Sequence, residues 1–419
     1  MGEFAAVITA FLIIPILSKK RVSIGIAICI SAVIMALLGG LGISGLFAVI
    51  ISTFANFNKL QQFIVIIEIS VLGALLRQYN IIDKVIEHLT KLVRSNRVTL
   101  MFIPALVGFL SVPGGAIISA PFIDQLGEES GLSKTYRAII NLIFRHIAMH
   151  IMPYTTGFLL VASLAPGISV YKLIGLNSIF VVFYVLSGYF LYVRQVKTEA
   201  EPAMTDALSN LLNLLKYTAP VYTSVLLNLI FGMPFYIGML ANLVIVYWIN
   251  PEKSFLSDAV RVANINVIYS LMGVYLIQGI IGQMESLMSF FTSIFNNPKT
   301  ILPGIIGTAF FLGLTTGFQA TSLGVVLPIL ASLPISENRL LLYCHMTFAW
   351  GFVGYFFSPL HLCQLFTCEY MKVSIQDLYK DYYKFFSVPY CYFDSKLFHV
   401  GYVAEITTDK YKTHKIIIW

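Results

Sequence analysis

Charge is scarce in this sequence: only 11% of its 419 residues are Asp, Glu, Lys or Arg, against 58% hydrophobic, and the mean hydropathy is +0.83. A water-soluble domain carries roughly a quarter charged residues, so the composition excludes that class and makes lipid the solvent. Cysteine is rare as well. Cys29, Cys344, Cys363, Cys368 and Cys391 lie mostly in or beside apolar runs with no CxxC pair, which excludes a disulfide framework and gives no support to a redox role. There is no Walker-type P-loop and no HExxH, so nucleotide hydrolysis and zinc proteolysis find no motif. The net charge of +7 comes from Lys and Arg in short loops between apolar runs, where it sets orientation in a membrane and does not build a nucleic-acid face.

What is abundant is apolar run. Continuous spans are predicted near residues 4–17, 22–38, 63–76, 138–160, 173–193, 217–231, 235–249, 262–281 and 340–359, each approaching the roughly 20 residues that cross a bilayer core. The first has no basic segment before it and no small-residue cleavage site after it, and reads as a span, not a signal peptide. Residues 43–57 form a short apolar stretch, and 81–94 and 373–386 are amphipathic and read as interfacial.

Two stretches, 99–126 and 301–333, are too long for one span and are interrupted by Pro and Gly. The first holds Ser111-Val112-Pro113-Gly114-Gly115 and Ser119-Ala120-Pro121, the second Thr315-Thr316-Gly317-Phe318-Gln319-Ala320-Thr321-Ser322. Freed backbone groups at membrane depth must be satisfied by protein, water or ligand, so each break is expected to mark a re-entrant hairpin and a cavity. The surroundings repeat at an offset near two hundred residues: Pro104 against Pro303, Pro121 against Pro328, Arg137 against Arg339, and Pro153 against Pro359. Interrupted segments at corresponding places in two halves are the sequence pointer to a transport site at a repeat interface. Keeping the basic loops cytoplasmic requires the first hairpin to return to the side it entered, which gives the halves opposite orientation and places the N-terminus outside.

The expected fold is therefore an all-α integral membrane protein of about nine to ten transmembrane helices in two inverted repeats. Residues 1–200 form the first, 201–386 the second, and 387–419 a polar tail where a further span would be expected, as a truncated or frame-shifted end or a cytoplasmic tail would leave.

Pro113-Gly114-Gly115-Ala116 with Ser119-Ala120-Pro121, then Phe144-Arg145-His146, then Phe357-Ser358-Pro359-Leu360-His361-Leu362-Cys363, together resemble domain of unknown function family 401. That family looks like a branch of the ion transporter superfamily, with citrate, dicarboxylate and gluconate permeases among its members. The resemblance covers roughly residues 1–383 and implies two opposed re-entrant hairpins and a transport activity, with no substrate attached. The Ser-Asn-Thr signature of the sodium-dicarboxylate branch is absent from the chain.

Candidate substrate-binding residues are Ser111, Gly114, Gly115, Ser119, Thr315, Thr316, Gly317, Gln319, Thr321 and Ser322 at the hairpin tips, with Asn141 and Arg145 on the following helix. Half-helix N-termini suit a carboxylate and unwound carbonyls a small cation, while helix packing through small residues is the plainer account. A charge inside a span costs roughly 2.5 to 3.5 kcal/mol on insertion scales, so Arg145 is expected to face protein, water or a substrate carboxylate. Glu68, alone in the run 64–75, is either its structural ion-pair partner or a coupling group that carries protons. His146 is the second coupling candidate, against a satisfied interior hydrogen bond. His146 and His150 share a helix face, but no further ligand follows at metal spacing, so no metal and no cofactor beyond a coupling H+ or Na+ is expected. Ser358 and His361 occupy the corresponding end of the second half, where they either line the same cavity or hydrogen-bond between helices.

These features predict a secondary transporter moving a small organic anion, of carboxylate type, across the cytoplasmic membrane by alternating access. Its expected partners are that anion and the bilayer, with no nucleic acid; a homodimer is compatible with the pattern. The rival readings are a non-transporting receptor or scaffold component and an intramembrane enzyme, the latter lacking a paired set of acids within the spans.

Overall fold

A chain this apolar must satisfy its backbone internally, and the helix does so within one segment. A computed structural model describes residues 2–20, 22–93, 95–109, 116–196, 206–263, 265–295, 297 and 299–387, and among them every regular element is helical. Helices α1 (Gly2–Lys19), α2 (Ile24–Leu38), α3 (Gly42–Phe54), α4 (Phe57–Gln78) and α5 (Ile81–Leu92) lead to a hairpin of α6 (Asn96–Gly108) and α7 (Ala116–Glu129). Then come α8 (Lys134–Arg145), α9 (Ala148–Ile151), α10 (Thr156–Leu164) and α11 (Val170–Gly188), which runs on into a π-helical turn, Tyr189–Val193.

The second half follows with α12 (Ala207–Phe231), α13 (Phe235–Ile249), α14 (Phe255–Arg261), α15 (Ile265–Ile281) and α16 (Glu285–Phe295). A second hairpin of α17 (Ile301–Thr316) and α18 (Gln319–Ser332) precedes α19 (Glu337–Phe357), α20 (Leu362–Met371) and α21 (Ile375–Ser387). Serine caps open α8 and α19 alike: Ser133 accepts from the Tyr136 amide at 3.2 Å and Ser336 from the Arg339 amide at 3.4 Å.

Among the described residues, four helical stretches are long and apolar enough to cross a membrane: Lys134–Leu164, Val170–Val193, Ala207–Phe231 and Glu337–Met371. A fifth arises if Phe63–Gln78 and Ile81–Leu92, bent by 68°, count as one span, and several shorter apolar helices accompany them. Lipid is the natural neighbour of side chains such as Phe231 and Trp248, 71% and 73% exposed, because no soluble surface leaves so many large apolar groups in water. The chain is thus a helical, membrane-embedded protein.

The region 138–160, predicted as one span, is interrupted twice, after Arg145 and between Met152 and Thr155. Pro121, expected within the first break, lies inside α7, and Pro104 and Pro328, which mark the repeat, likewise lie inside helices. In the second hairpin the chain turns at Gly317, whose φ of +63° is left-handed and costs glycine nothing. Ser111, Gly114, Gly115 and the tail from 388 onward lie outside the described residues.

The two sequence halves are interleaved. One buried apolar cluster joins α6, α7 and α8 to the end of α19 and to α20, and the other joins α17, α18 and the start of α19 to α10. The piece of chain that follows each helix break therefore packs against the opposite hairpin: α10 on α18, and α20 on α7.

Candidate site at the crossing of two helix breaks

Close backbone approach sets the geometry. A Cβ on Gly108 would fall 2.0 Å from the Arg145 carbonyl oxygen, and one on Gly354 would fall 2.1 Å from that of Phe310. Glycine lets α6 touch α8 and α17 touch α19, so each hairpin lies flush against the broken helix that follows it.

Asn141, one turn before Arg145, knots three elements. Its Oδ1 accepts from the Ser119 hydroxyl at 2.6 Å, while its Nδ2 donates to the Ala116 carbonyl at 3.0 Å and to the Thr367 Oγ1 at 3.1 Å. All of these groups are buried, so α7, α8 and α20 are held at one point by satisfied polar contacts. Arg145 is 4% exposed, and its guanidinium is within electrostatic range of Tyr355 and Cys363 on the other half.

His146 caps the end of α8 and turns toward the second half. Its Nδ1 lies 2.6 Å from the Leu142 carbonyl oxygen, and its Nε2 lies 3.2 Å from the Tyr355 hydroxyl and 3.1 Å from Nε2 of His361. His361 caps α20, and Cys363 sits one residue further into that helix. The metal-ligating atoms of His146, His361 and Cys363 all lie within 4.8 Å of one another. His150, one turn on from His146, points elsewhere: its Nε2 meets the Tyr184 hydroxyl at 3.1 Å, and its ring packs on Phe352. The pairing of His146 with His150 considered from spacing is therefore absent, and the break between α8 and α9 is what separates them.

At the second hairpin the predicted polar groups come together but are occupied by their own backbone. Thr315 donates to Phe311 O at 2.8 Å, Thr316 to Leu312 O at 2.7 Å, and Ser322 to Ala309 O at 2.7 Å. Gln319 donates from Nε2 to Phe348 O at 2.8 Å, tying α18 to α19. Thr321 is buried among them. The tip reaches the second break, since a Cβ on Gly317 would meet Leu360 at 2.7 Å.

Residues 4–390 match the family described as Protein of unknown function (DUF401). The chain belongs to this family. No curated protein matches it.

In this DUF401 protein Glu68 stands apart from the crossing. It is buried in α4 at 9% exposure with no hydrogen-bond partner for Oε2, and no ion pair joins it to Arg145 among the described residues. The ion pair weighed from sequence is therefore not formed. An open groove lies between α5 and the first hairpin, with Thr90, Thr99, Gln125 and Glu129 on its wall and Arg145 not among its lining residues. Ser119, Asn141, Arg145 and His146 meet at the crossing, while Thr315, Thr316, Gly317, Gln319, Thr321 and Ser322 form the neighbouring tip.

Sequence reasoning passed over Cys363, Tyr355 and Thr367, and placed His361 at the corresponding end of the second half, either lining the same cavity as Asn141 and Arg145 or hydrogen-bonding between helices. The available signal was the His361-Leu362-Cys363 spacing inside a motif string already singled out; nothing local links it to its partner His146, 215 residues earlier.

Proposed function

We propose that this protein is a secondary transporter for a small organic anion of carboxylate type, working by alternating access between two inverted repeats. The observation that carries the reading is Arg145, a buried guanidinium at the end of one broken helix, beside the N-terminus of α20 that opens after the other break. A buried cation in a membrane protein faces a partner or a pathway, and a half-helix N-terminus adds partial positive charge to the same point. An anion is the solute such a site favours.

The order of elements supports the repeat. Each half runs hairpin, capped helix, break, short helix: α6 to α10 in one and α17 to α20 in the other. Each short helix packs on the opposite hairpin, so displacement of one hairpin is transmitted to both breaks, as rocking of one repeat against the other requires. The likeness to citrate and gluconate permeases belongs to this proposal, with H+ or Na+ as the coupling ion. Glu68 is the proton carrier, a buried carboxyl whose Oε2 has no hydrogen-bond partner, and His146 the second coupling group.

A thermal-shift screen of purified protein against small carboxylates, sugar acids and amino acids, with and without sodium, tests it, since a ligand of the folded state stabilises that state by mass action. Stabilisation by one carboxylate, lost in Arg145→Gln, is the expected result. A response confined to neutral or cationic solutes contradicts the anion reading.

A further inference from the structure

We propose that His146, His361 and Cys363 form a binding site for a transition-metal ion of the zinc class, placed where the two helix breaks cross. All three residues are buried and their ligand atoms lie within 4.8 Å of one another. The hydrogen bonds around the two imidazoles carry the argument. Nδ1 of His146 is 2.6 Å from the Leu142 carbonyl oxygen, and Nδ1 of His361 makes a longer contact of 3.4 Å with that of Phe356. A carbonyl oxygen only accepts, so in each neutral ring the proton sits on Nδ1.

Both Nε2 atoms then present lone pairs, and they face one another across 3.1 Å. The Tyr355 hydroxyl, 3.2 Å from Nε2 of His146, has one proton and serves one lone pair. The Cys363 thiol is hydrogen-bonded to the same imidazoles and its proton can serve the other lone pair, so a cation held by both Nε2 atoms and the Cys363 sulfur takes the place of those protons in a dry interior. An imidazole fixed through Nδ1–H on a carbonyl is how proteins commonly orient a metal ligand. Two imidazoles and a thiolate fill three of the four positions that zinc takes.

On binding, the Cys363 thiol releases its proton to solvent, and both imidazoles stay neutral and coordinate through Nε2. Water or an anion completes the shell, and the neighbouring Arg145 charge favours the anion. This departs from the absence of a metal expected from the spacing of His146 and His150, because the remaining ligands come from the other half of the chain. An ion held here ties the end of α8 to the start of α20 and so fixes the two breaks relative to each other.

The test is cobalt(II) chloride added to full-length protein in detergent after treatment with a chelator. The wild-type chain should bind one Co²⁺ and show a near-ultraviolet thiolate-to-cobalt charge-transfer band. Cys363→Ser should lose the band and bind at least about 10-fold more weakly, and His361→Asn should weaken binding to a similar extent. Cys368→Ser, a nearby buried free cysteine, should keep both band and affinity and controls for folding. A wild-type protein without the band, or a band that survives Cys363→Ser, overturns the site and leaves a proton shared between the two imidazoles as the account of their contact. The readout is metal binding and not flux, so its failure leaves the transport proposal standing.

Discussion

His146 and His361, 215 residues apart in sequence, meet with their Nε2 atoms 3.1 Å apart. Each residue caps a helix at a break, His146 at the C-terminus of α8 and His361 at the N-terminus of α20. The contact therefore reports how the two halves are set against each other, and every feature argued to carry function except Glu68 lies within a few turns of it or on the hairpin tip beside it.

The glycine contacts should control stability selectively. Gly354→Val places side-chain atoms where the Phe310 carbonyl oxygen already lies, 2.1 Å from the first of them. It should force α17 from α19 and lower the melting temperature in detergent by several degrees or prevent folding. Gly175→Ala, with nothing within 4 Å of the added carbon, should leave the melting temperature unchanged or slightly raised, since alanine is the better helix former. Equal effects at both positions would contradict the close-approach account.

Asn141→Leu should cost about 1 to 3 kcal/mol for a buried partner left unsatisfied, here the Thr367 hydroxyl foremost, since the Ser119 hydroxyl keeps a contact of 3.4 Å to the Ala116 carbonyl. Thr367→Val, which removes one partner only, should cost less. Chemical denaturation followed by tryptophan fluorescence reads both; a neutral Asn141→Leu would show that the knot between α7, α8 and α20 is not a support of the site.

Glu68→Gln separates coupling from binding. If Glu68 carries the proton, the variant should lose uptake driven by a proton gradient while retaining exchange of substrate across the vesicle at equal pH. Uptake that still follows the gradient would remove Glu68 from the mechanism.

On the exposed face of the amphipathic helix α5, Glu87 is paired with Lys91 at 2.6 Å and Lys84 at 3.2 Å, and these two ammonium groups hold its carboxyl down, to about 2. A lowered folded-state value means the contribution is present above the ordinary carboxylate range and is lost as pH falls toward 2. The pairs are exposed, so the effect should be small and should shrink with salt. Glu87→Gln should therefore leave the melting temperature at pH 7 nearly unchanged and its salt dependence weaker; a drop of many degrees would assign α5 a buried electrostatic role.

Much of this architecture is legible from composition, because an apolar segment in lipid has few alternatives to a helix, and the turn at Gly317 falls within the expected break. The break after Arg145 was not legible. No Pro or Gly stands there, and what ends α8 is tertiary: Gly108 against the Arg145 carbonyl and Tyr355 and His361 on the ring of His146. Conversely, Pro121 belongs to the expected first break, yet it lies inside α7 and neighbouring helices accommodate it. The site was legible by residue type, with Asn141, Arg145 and His146 found on one helix, but not by partner. A histidine's companion on another helix leaves no period or spacing to read, and at the second tip Thr315, Thr316 and Ser322 satisfy carbonyls of the hairpin itself while Gln319 donates to α19.

The most direct test of the central claim is uptake of a radiolabelled small carboxylate, chosen by the thermal-shift screen, into proteoliposomes containing either the wild-type chain or Arg145→Gln. The account predicts saturable uptake by the wild-type protein and a loss of at least about 10-fold in Arg145→Gln at equal reconstitution. Uptake by Arg145→Gln at the wild-type rate, or none by a wild-type protein that binds the same carboxylate, would contradict it.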